Sequence, residues 1–297
     1  MEKPFRGHNF KLKRSQIFAF GGSAIGLIFL ASACIYFTGG ARSRVPKDVA
    51  EIDSANGDEY MAKEKMLQIS GGTELRVIGN TDLAPTLLVW GDSHALASLP
   101  AVNRALVKLD RCAIVAEKGG TPPVINWGNE SNPKTQIEYN HSVFEYAKAA
   151  KEKGLTDVLL VFYWSAYVEH QKTPNGFPEP PKGFADALIE TIIELKRAGL
   201  NVIVLEETPV FRVHVAKAVA LHKWLGTPLP ILTYEESQAY RTPYNSIIKR
   251  ILSSTPDTEI FDPQSLFLGE EHQFDVLDDD GHLLFKDQSH LTRRGSM

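Results

Sequence analysis

Thr86-Leu87-Leu88-Val89-Trp90-Gly91-Asp92-Ser93-His94 is the stretch on which the reading of the whole chain turns. Its first five residues show no polar alternation, as in a strand buried on both faces, and its last four are turn and helix-start residues. Four more short apolar runs follow, at Cys112–Glu117, residues 157–163, Asn201–Leu205 and Glu259–Phe261. Helical stretches separate them, at residues 94–109, 139–153, 184–198 and 235–252. In the third, Phe184, Ala187, Leu188, Thr191, Ile192 and Leu195 recur at spacings of three and four, which makes one apolar stripe, and Gly199 supplies a stop. Strand and helix in alternation predict an α/β fold, a three-layer α/β/α sandwich around a parallel sheet of about five strands. Pro-rich residues 173–181 and much of 208–230 read as loop, with room for a short helix within 210–224.

Ahead of this body, residues 17–37 contain no charge, and about 20 apolar residues suffice to cross a hydrocarbon core as a helix. Lys3, Arg6, Lys11, Lys13 and Arg14 precede the run, while Arg42, Arg44 and Lys47 follow it, a bias that puts the N-terminus on the cytoplasmic side and the body outside. Ala31-Ser32-Ala33-Cys34 also fits a cleaved, lipidated signal, but Ile35-Tyr36-Phe37 prolong the apolar run past that point. The expected organisation is a basic cytoplasmic segment (1–16), a transmembrane helix (17–37), a juxtamembrane linker (38–82) whose last part packs on the domain edge, and one α/β domain (83–297).

With 297 residues, 43% hydrophobic and 23% charged, the chain has a globular balance that excludes disordered, collagen-like and disulfide-stapled classes. Residues 1–47 carry a net charge of +7 and residues 48–297 a net of −11. A basic end on an acidic body argues against nucleic acid as a partner. Cys34 and Cys112 are too few for a disulfide framework and have no metal-ligand spacing.

Ligands of open parallel sheets bind beyond the carboxyl ends of the strands, which directs attention to Ser93. A serine between strand and helix is poised at a turn beside helix-terminal amides; it also makes a good N-cap, and position alone does not separate the two roles. Asp287 and His290, three residues apart, share a face on a helical turn, where the carboxylate orients the imidazole. Serine, aspartate and histidine then supply nucleophile, orienter and base.

GDSHA at residues 91–95 together with DQSHLT at residues 287–292 resembles the SGNH (GDSL-like) hydrolase family, of flavodoxin-like architecture. The closer likeness is to the SGNH domain fused C-terminally to membrane acyltransferases of family three, which modify cell-surface glycans. It rests on LVWGDSHA (88–95), Tyr163-Trp164-Ser165 and DGHLLFKDQSHLT (280–292), and EKPFR at residues 2–6 looks like the close of the last helix of the membrane module. The resemblance covers residues 80–297 and implies a C-terminal piece of such a fusion. It implies Ser93, Asp287 and His290 as the triad, with an oxyanion hole from the amides of Ser93, Gly119 and Gly120. The asparagine that usually completes the hole after the third strand is absent; Asn126 and Asn129 lie nearby only in sequence.

Asp92, His94, Trp164 and Ser165 are candidates for substrate contact. Trp127, Trp164 and Trp224 offer rings for sugar stacking, with burial as the alternative. Glu206 and Glu207 stand on the ligand-facing rim, and Asp278-Asp279-Asp280-Gly281 reads as a solvated turn rather than a calcium loop. No metal or cofactor is expected. The functions implied are O-acyl transfer to a glycan acceptor, with an acyl donor passed across the membrane by an acyltransferase module; ester hydrolysis by the same residues; or non-catalytic binding.

Overall fold

Among the described residues, nine strands form the sheets: β1 (Lys65–Gln68), β2 (Glu74–Gly79), β3 (Pro85–Gly91), β4 (Cys112–Glu117), β5 (Asp157–Val161), β6 (Gln171–Lys172), β7 (Pro178–Glu179), β8 (Asn201–Leu205) and β9 (Glu259–Phe261). Seven form one sheet in the order β1-β2-β4-β3-β5-β8-β9, and β6 pairs with β7 in a separate hairpin. The structure, a computed structural model, describes residues 13–38, 40, 46–47, 49–50, 52, 65–69, 72–129, 132–168, 171–172, 178–179 and 183–297. Residues 173–177 and 180–181 of the stretch read as loop lie outside the described residues.

Pairing is parallel from β4 through β3, β5 and β8 to β9, which gives the five parallel strands expected from the apolar runs. Two further strands come from the stretch read as linker: β2 pairs antiparallel with β4, and β1 antiparallel with β2. They escaped the sequence reading because Lys65–Gln68 and Glu74–Gly79 are short and mostly polar on the face turned away from the core.

The helices follow the periodicity. Among the described residues after the N-terminal helix, α2 (Ser93–Lys108), α3 (Pro133–Lys151), α5 (Phe184–Arg197) and α7 (Tyr234–Ser254) are the long ones, and α4 (Trp164–Val168), α6 (Val215–Leu225) and α8 (Arg293–Ser296) are short. Successive strand residues serve opposite layers, as the two-residue period requires. Leu88 and Trp90 of β3 pack with Val143 and Ala147 of α3, Leu188 and Ile192 of α5, and Ile247 and Ile251 of α7. Val89 packs on the other side with Ala95, Leu99 and Leu106 of α2. Beside α2, a third cluster joins Val215 and Val219 of α6 to Phe274, Phe285 and Leu291 near the C-terminal end.

The chain divides into a unit of residues 1–51 and one of residues 52–297. The first contains α1 (Arg14–Phe37), 24 residues with none buried and with the length and apolarity to cross a membrane. Its span corresponds to the uncharged run read from the sequence.

Candidate active site

The first parallel strand, β3, has neighbours from later in the chain on both sides, so the sheet order reverses beside it, the place beyond the strand ends where such sheets take their ligands. Gly91 ends β3 opposite Val161 of β5. A Cβ at this position would overlap the Val161 carbonyl, the same group that accepts the Asp92 N–H at 3.2 Å. The N-cap of α2 is Asp92: its Oδ1 accepts the His94 N–H at 2.8 Å. Ser93 is therefore not the cap, and its hydroxyl is free for other partners.

That partner is His290. Ser93 Oγ lies 2.8 Å from His290 Nε2, and His290 Nδ1 lies 2.9 Å from Asp287 Oδ2. Asp287 Oδ1 accepts the backbone N–H groups of Ser289 at 3.0 Å and His290 at 2.8 Å. The aspartate and histidine sit on a tight hairpin loop rather than the helical turn read from their spacing. Phe285 and Leu291 pair across its base and are buried, and the Lys286 N–H donates to the His290 carbonyl at 2.9 Å. The loop is fastened from outside as well, since the amides of Phe211 and Val215 donate to the Gln288 and Asp287 carbonyls at 2.8 and 3.2 Å. Burial raises the Asp287 carboxyl, but the bonds from His290 and from the two amides outweigh it and hold the group well below the usual carboxylate range. An ionised Asp287 keeps a proton on Nδ1 and leaves Nε2 to accept from Ser93.

Asp92 is buried, and its second oxygen accepts the Tyr163 N–H and the Tyr167 hydroxyl, each at 2.9 Å. It thus ties the end of β3 to the end of β5. Burial raises its carboxyl, only partly offset by the three bonds and the nearby His290. His94 is also buried, stacked on Tyr163 with centroids 4.6 Å apart and 4.5 Å from the His290 ring. Burial, and then the charge of His290, push it down to about 3, with Asp287 opposing. A neutral His94 supports the His290 ring without repelling the imidazolium that proton transfer creates. Neither residue presents the open face that a substrate contact needs; both brace the reacting groups.

The turn after β4 is held by its neighbours. The Thr121 N–H donates to the Lys118 carbonyl at 3.0 Å, and Gly120 has φ +64°, a conformation natural to glycine. Gln136 of α3 donates to the Gly120 carbonyl at 2.9 Å, and Asn140, fully buried, spans Trp90 Nε1 and the Pro122 and Val124 carbonyls. Among the described residues, the amides of Ser93, Gly119 and Gly120 have no protein acceptor. Free amide donors at the start of a helix and in a turn are what a developing oxyanion requires. Asn126 Oδ1 instead accepts from His141 Nε2 at 2.8 Å, and the Asn129 backbone N–H donates to Gln136 Oε1.

Several sequence candidates are occupied elsewhere. Trp164 is fully buried, with its indole N–H on the Leu205 carbonyl at 3.0 Å. Ser165 is buried against Glu207, which takes its hydroxyl at 2.6 Å and its amide at 3.0 Å. Trp127 packs edge-on against Tyr167 and Phe184. These side chains have no surface for substrate or sugar, so the expected contacts of Trp164, Ser165 and Trp127 are corrected to packing. Glu206 pairs with Arg241, itself bonded to Asp262 at 2.7 Å, so the two rim glutamates are both engaged. Asp278, Asp280 and His282 converge in the turn read from sequence, where Arg294 pairs with both carboxylates. Sequence reasoning missed the bracing roles of Asp92, Gln136, Asn140 and Glu207, whose partners lie far along the chain.

Among families, the SGNH domain (fused to AT3 domains) matches residues 59–297. No curated protein matches the chain. Among solved structures, the periplasmic domain of the lipopolysaccharide acetyltransferase of Salmonella ser. Paratyphi A is similar, at 18% identity and a TM-score of 0.51, over 74% of this chain and 81% of that one. TesA is similar at 12% identity and a TM-score of 0.36, over 71% of this chain and 91% of that one. The likeness to the acetyltransferase domain, at this identity, is one of fold. By the family match, this chain belongs to the SGNH domains of the kind fused to AT3 domains, whose chemistry is acyl transfer or acyl hydrolysis.

Proposed function

We propose that this chain is an extracytoplasmic serine O-acyltransferase that passes an acyl group, an acetyl in the first instance, to a hydroxyl of a cell-surface glycan. The observation that carries the reading is the aligned Ser93, His290 and Asp287 in an SGNH domain of the AT3-fused kind. In the first half-reaction Ser93 Oγ attacks the acyl carbonyl while its proton moves to His290 Nε2. The tetrahedral oxyanion is met by the amides of Ser93, Gly119 and Gly120. As the donor C–O or C–S bond breaks, the leaving group takes the proton from Nε2, and acyl-Ser93 remains. In the second half-reaction Nε2 takes a proton from the sugar hydroxyl, which attacks the acyl carbon, and Ser93 leaves with that proton. Water in place of the sugar gives hydrolysis by the same residues.

A membrane acyltransferase module is the fitting donor partner, since SGNH domains of this family occur fused to AT3 domains. The charge bias around α1 supports an N-terminus in the cytoplasm and the SGNH domain on the periplasmic side. Lipopolysaccharide is the acceptor class that the solved acetyltransferase domain brings to mind for this chain.

The test is acceptor competition. The purified chain is given a soluble acetyl ester with and without rising concentrations of sugar, and acetylated sugar, free acetate and acetyl on the Ser93 peptide are measured separately. Acetyl on Ser93 that partitions increasingly to sugar supports transfer. Acetate alone, whatever the sugar concentration, identifies an esterase, and an unacetylated Ser93 during turnover removes this mechanism.

A further inference from the structure

α6 buries Val215, Ala216 and Val219 and turns an unusual outer face to solvent. Leu221, Trp224 and Leu225 stand at spacings of three and four, on one stripe, with exposures of 44, 46 and 63%. Lys217, four residues before Leu221, continues the same stripe. The other three tryptophans, Trp90, Trp127 and Trp164, are all buried, so Trp224 is the only exposed one of the four. Aqueous solvent gives no reason to place an indole and two leucines side by side on a helix.

The charge along this segment is equally uneven. From Thr208 to Tyr234 the chain contains Arg212, Lys217 and Lys223 and no aspartate or glutamate, whereas residues 48–297 as a whole carry −11. An apolar stripe with tryptophan and flanking cations is the composition of a helix that lies in a headgroup region, its apolar side toward the acyl chains. We propose that α6 docks on an anionic lipid surface, with Leu221, Trp224 and Leu225 entering the interface and the adjoining cations meeting lipid phosphates. Charge complementarity selects the lipid, and α1, read as a span, keeps the domain within reach of it; the docking rests on that reading.

Docking would bring the reacting groups close to the bilayer. The amide of Val215, at the start of α6, donates to the Asp287 carbonyl, and that of Phe211 to Gln288. The loop that holds Asp287 and His290 is thus directly bonded to the segment that meets the lipid, and a donor or glycan precursor carried in the membrane has a short path to Ser93.

Trp224 is its own reporter, because α1 contains no tryptophan. The full chain is reconstituted in nanodiscs of phosphatidylcholine and phosphatidylglycerol, with ordinary or brominated acyl chains. The expected result is bromine-dependent loss of the Trp224 share of the emission, absent in Trp224→Phe and mostly reversed in Lys217→Glu/Lys223→Glu or in phosphatidylcholine alone. Emission from Trp224 that ignores bromine overturns the proposal. Shielding that grows with protein concentration but not with bromine overturns it in favour of a second copy of this chain on the face. Failure of the chain to enter discs overturns the span and the docking together. Hydrolysis of a soluble ester, which Trp224→Phe leaves unchanged, reports the acyl-serine reading separately.

Discussion

Changing Asp287 to asparagine puts the relay under the most specific stress the structure allows. Among the described residues, the hydrogen bonds to this carboxylate come from three donors: the amides of Ser289 and His290 on Oδ1, and Nδ1–H of His290 on Oδ2. An amide side chain has one oxygen to offer. If that oxygen keeps the two backbone donors, its NH2 faces Nδ1, which must give up its proton; the proton moves to Nε2, and the ring then donates to Ser93 instead of accepting from it. If the oxygen turns to Nδ1, two backbone N–H groups face an NH2, at about 1–3 kcal/mol for each donor left unpaired. The first arrangement wins, and it holds the base in the wrong tautomer. In serine-protease triads the same change costs about 10⁴ in kcat. Here the Asp287 and His290 side chains are 27 and 24% exposed, so water can assist, and the expected loss is about 10³ to 10⁴. Asp287→Ala leaves Nδ1 to water, which accepts as well as donates, so it should retain about tenfold more activity than the asparagine variant, ~1.4 kcal/mol in barrier. Initial rates on a soluble acetyl ester, with circular dichroism to verify folding, decide the matter. An asparagine variant at the wild-type rate, or one faster than the alanine variant, would refute the tautomer argument.

Ser93→Ala should reduce ester turnover to background and shift stability by about 1 kcal/mol or less, because Asp92 keeps the cap; urea unfolding beside the rate assay measures both. Gly91→Ala should lower the urea midpoint by the equivalent of about 1–3 kcal/mol, since its methyl meets the Val161 carbonyl where β3 and β5 converge. Burial raises the Asp157 carboxyl, but bonds from Asn201, Arg111 and Thr156 outweigh it and lower the group, so its stabilisation is present above the unfolded value of about 3.9 and lost as pH falls through the folded one. Arg111→Met should therefore cost up to about 1 kcal/mol at neutral pH, a gap that narrows below pH ~4 in unfolding curves taken across that range.

The parallel strands and the long helices were legible because each writes its burial into a local period. Ser93, Asp287 and His290 were legible as motifs at the two ends of the chain, and the structure brings them within hydrogen-bond distance across 197 residues. What sequence could not supply were pairings with no local pattern. Ser165 meets Glu207 from 42 residues away, and Tyr167 meets Asp92 from 75. A buried serine beside a tryptophan looks the same on paper as one that faces a substrate. Ser93 and Asp92 are equally good caps by residue type, and only the direction of the backbone into α2 assigns the role to Asp92 and frees the serine. The edge strands β1 and β2 were hidden for a related reason: one exposed face dilutes the apolar signal.

Those two edge strands decide how the molecule behaves in company. β4, with Cys112, Ala113, Ile114, Val115 and Ala116 all buried, would be the long open border of the parallel sheet if β2 did not lie against it. β2 is sealed in turn by β1, whose Lys65, Met66 and Gln68 are exposed. At the opposite border β9 has only three residues. A chain trimmed to begin at Pro85 would keep every group named in the relay, yet it would show a bare ladder of N–H and C=O groups on an oily strand, the template along which sheets polymerise. β1 and β2 contribute no residue to the Ser93–His290–Asp287 relay, and their pairing covers the border along which one molecule would zip onto the next.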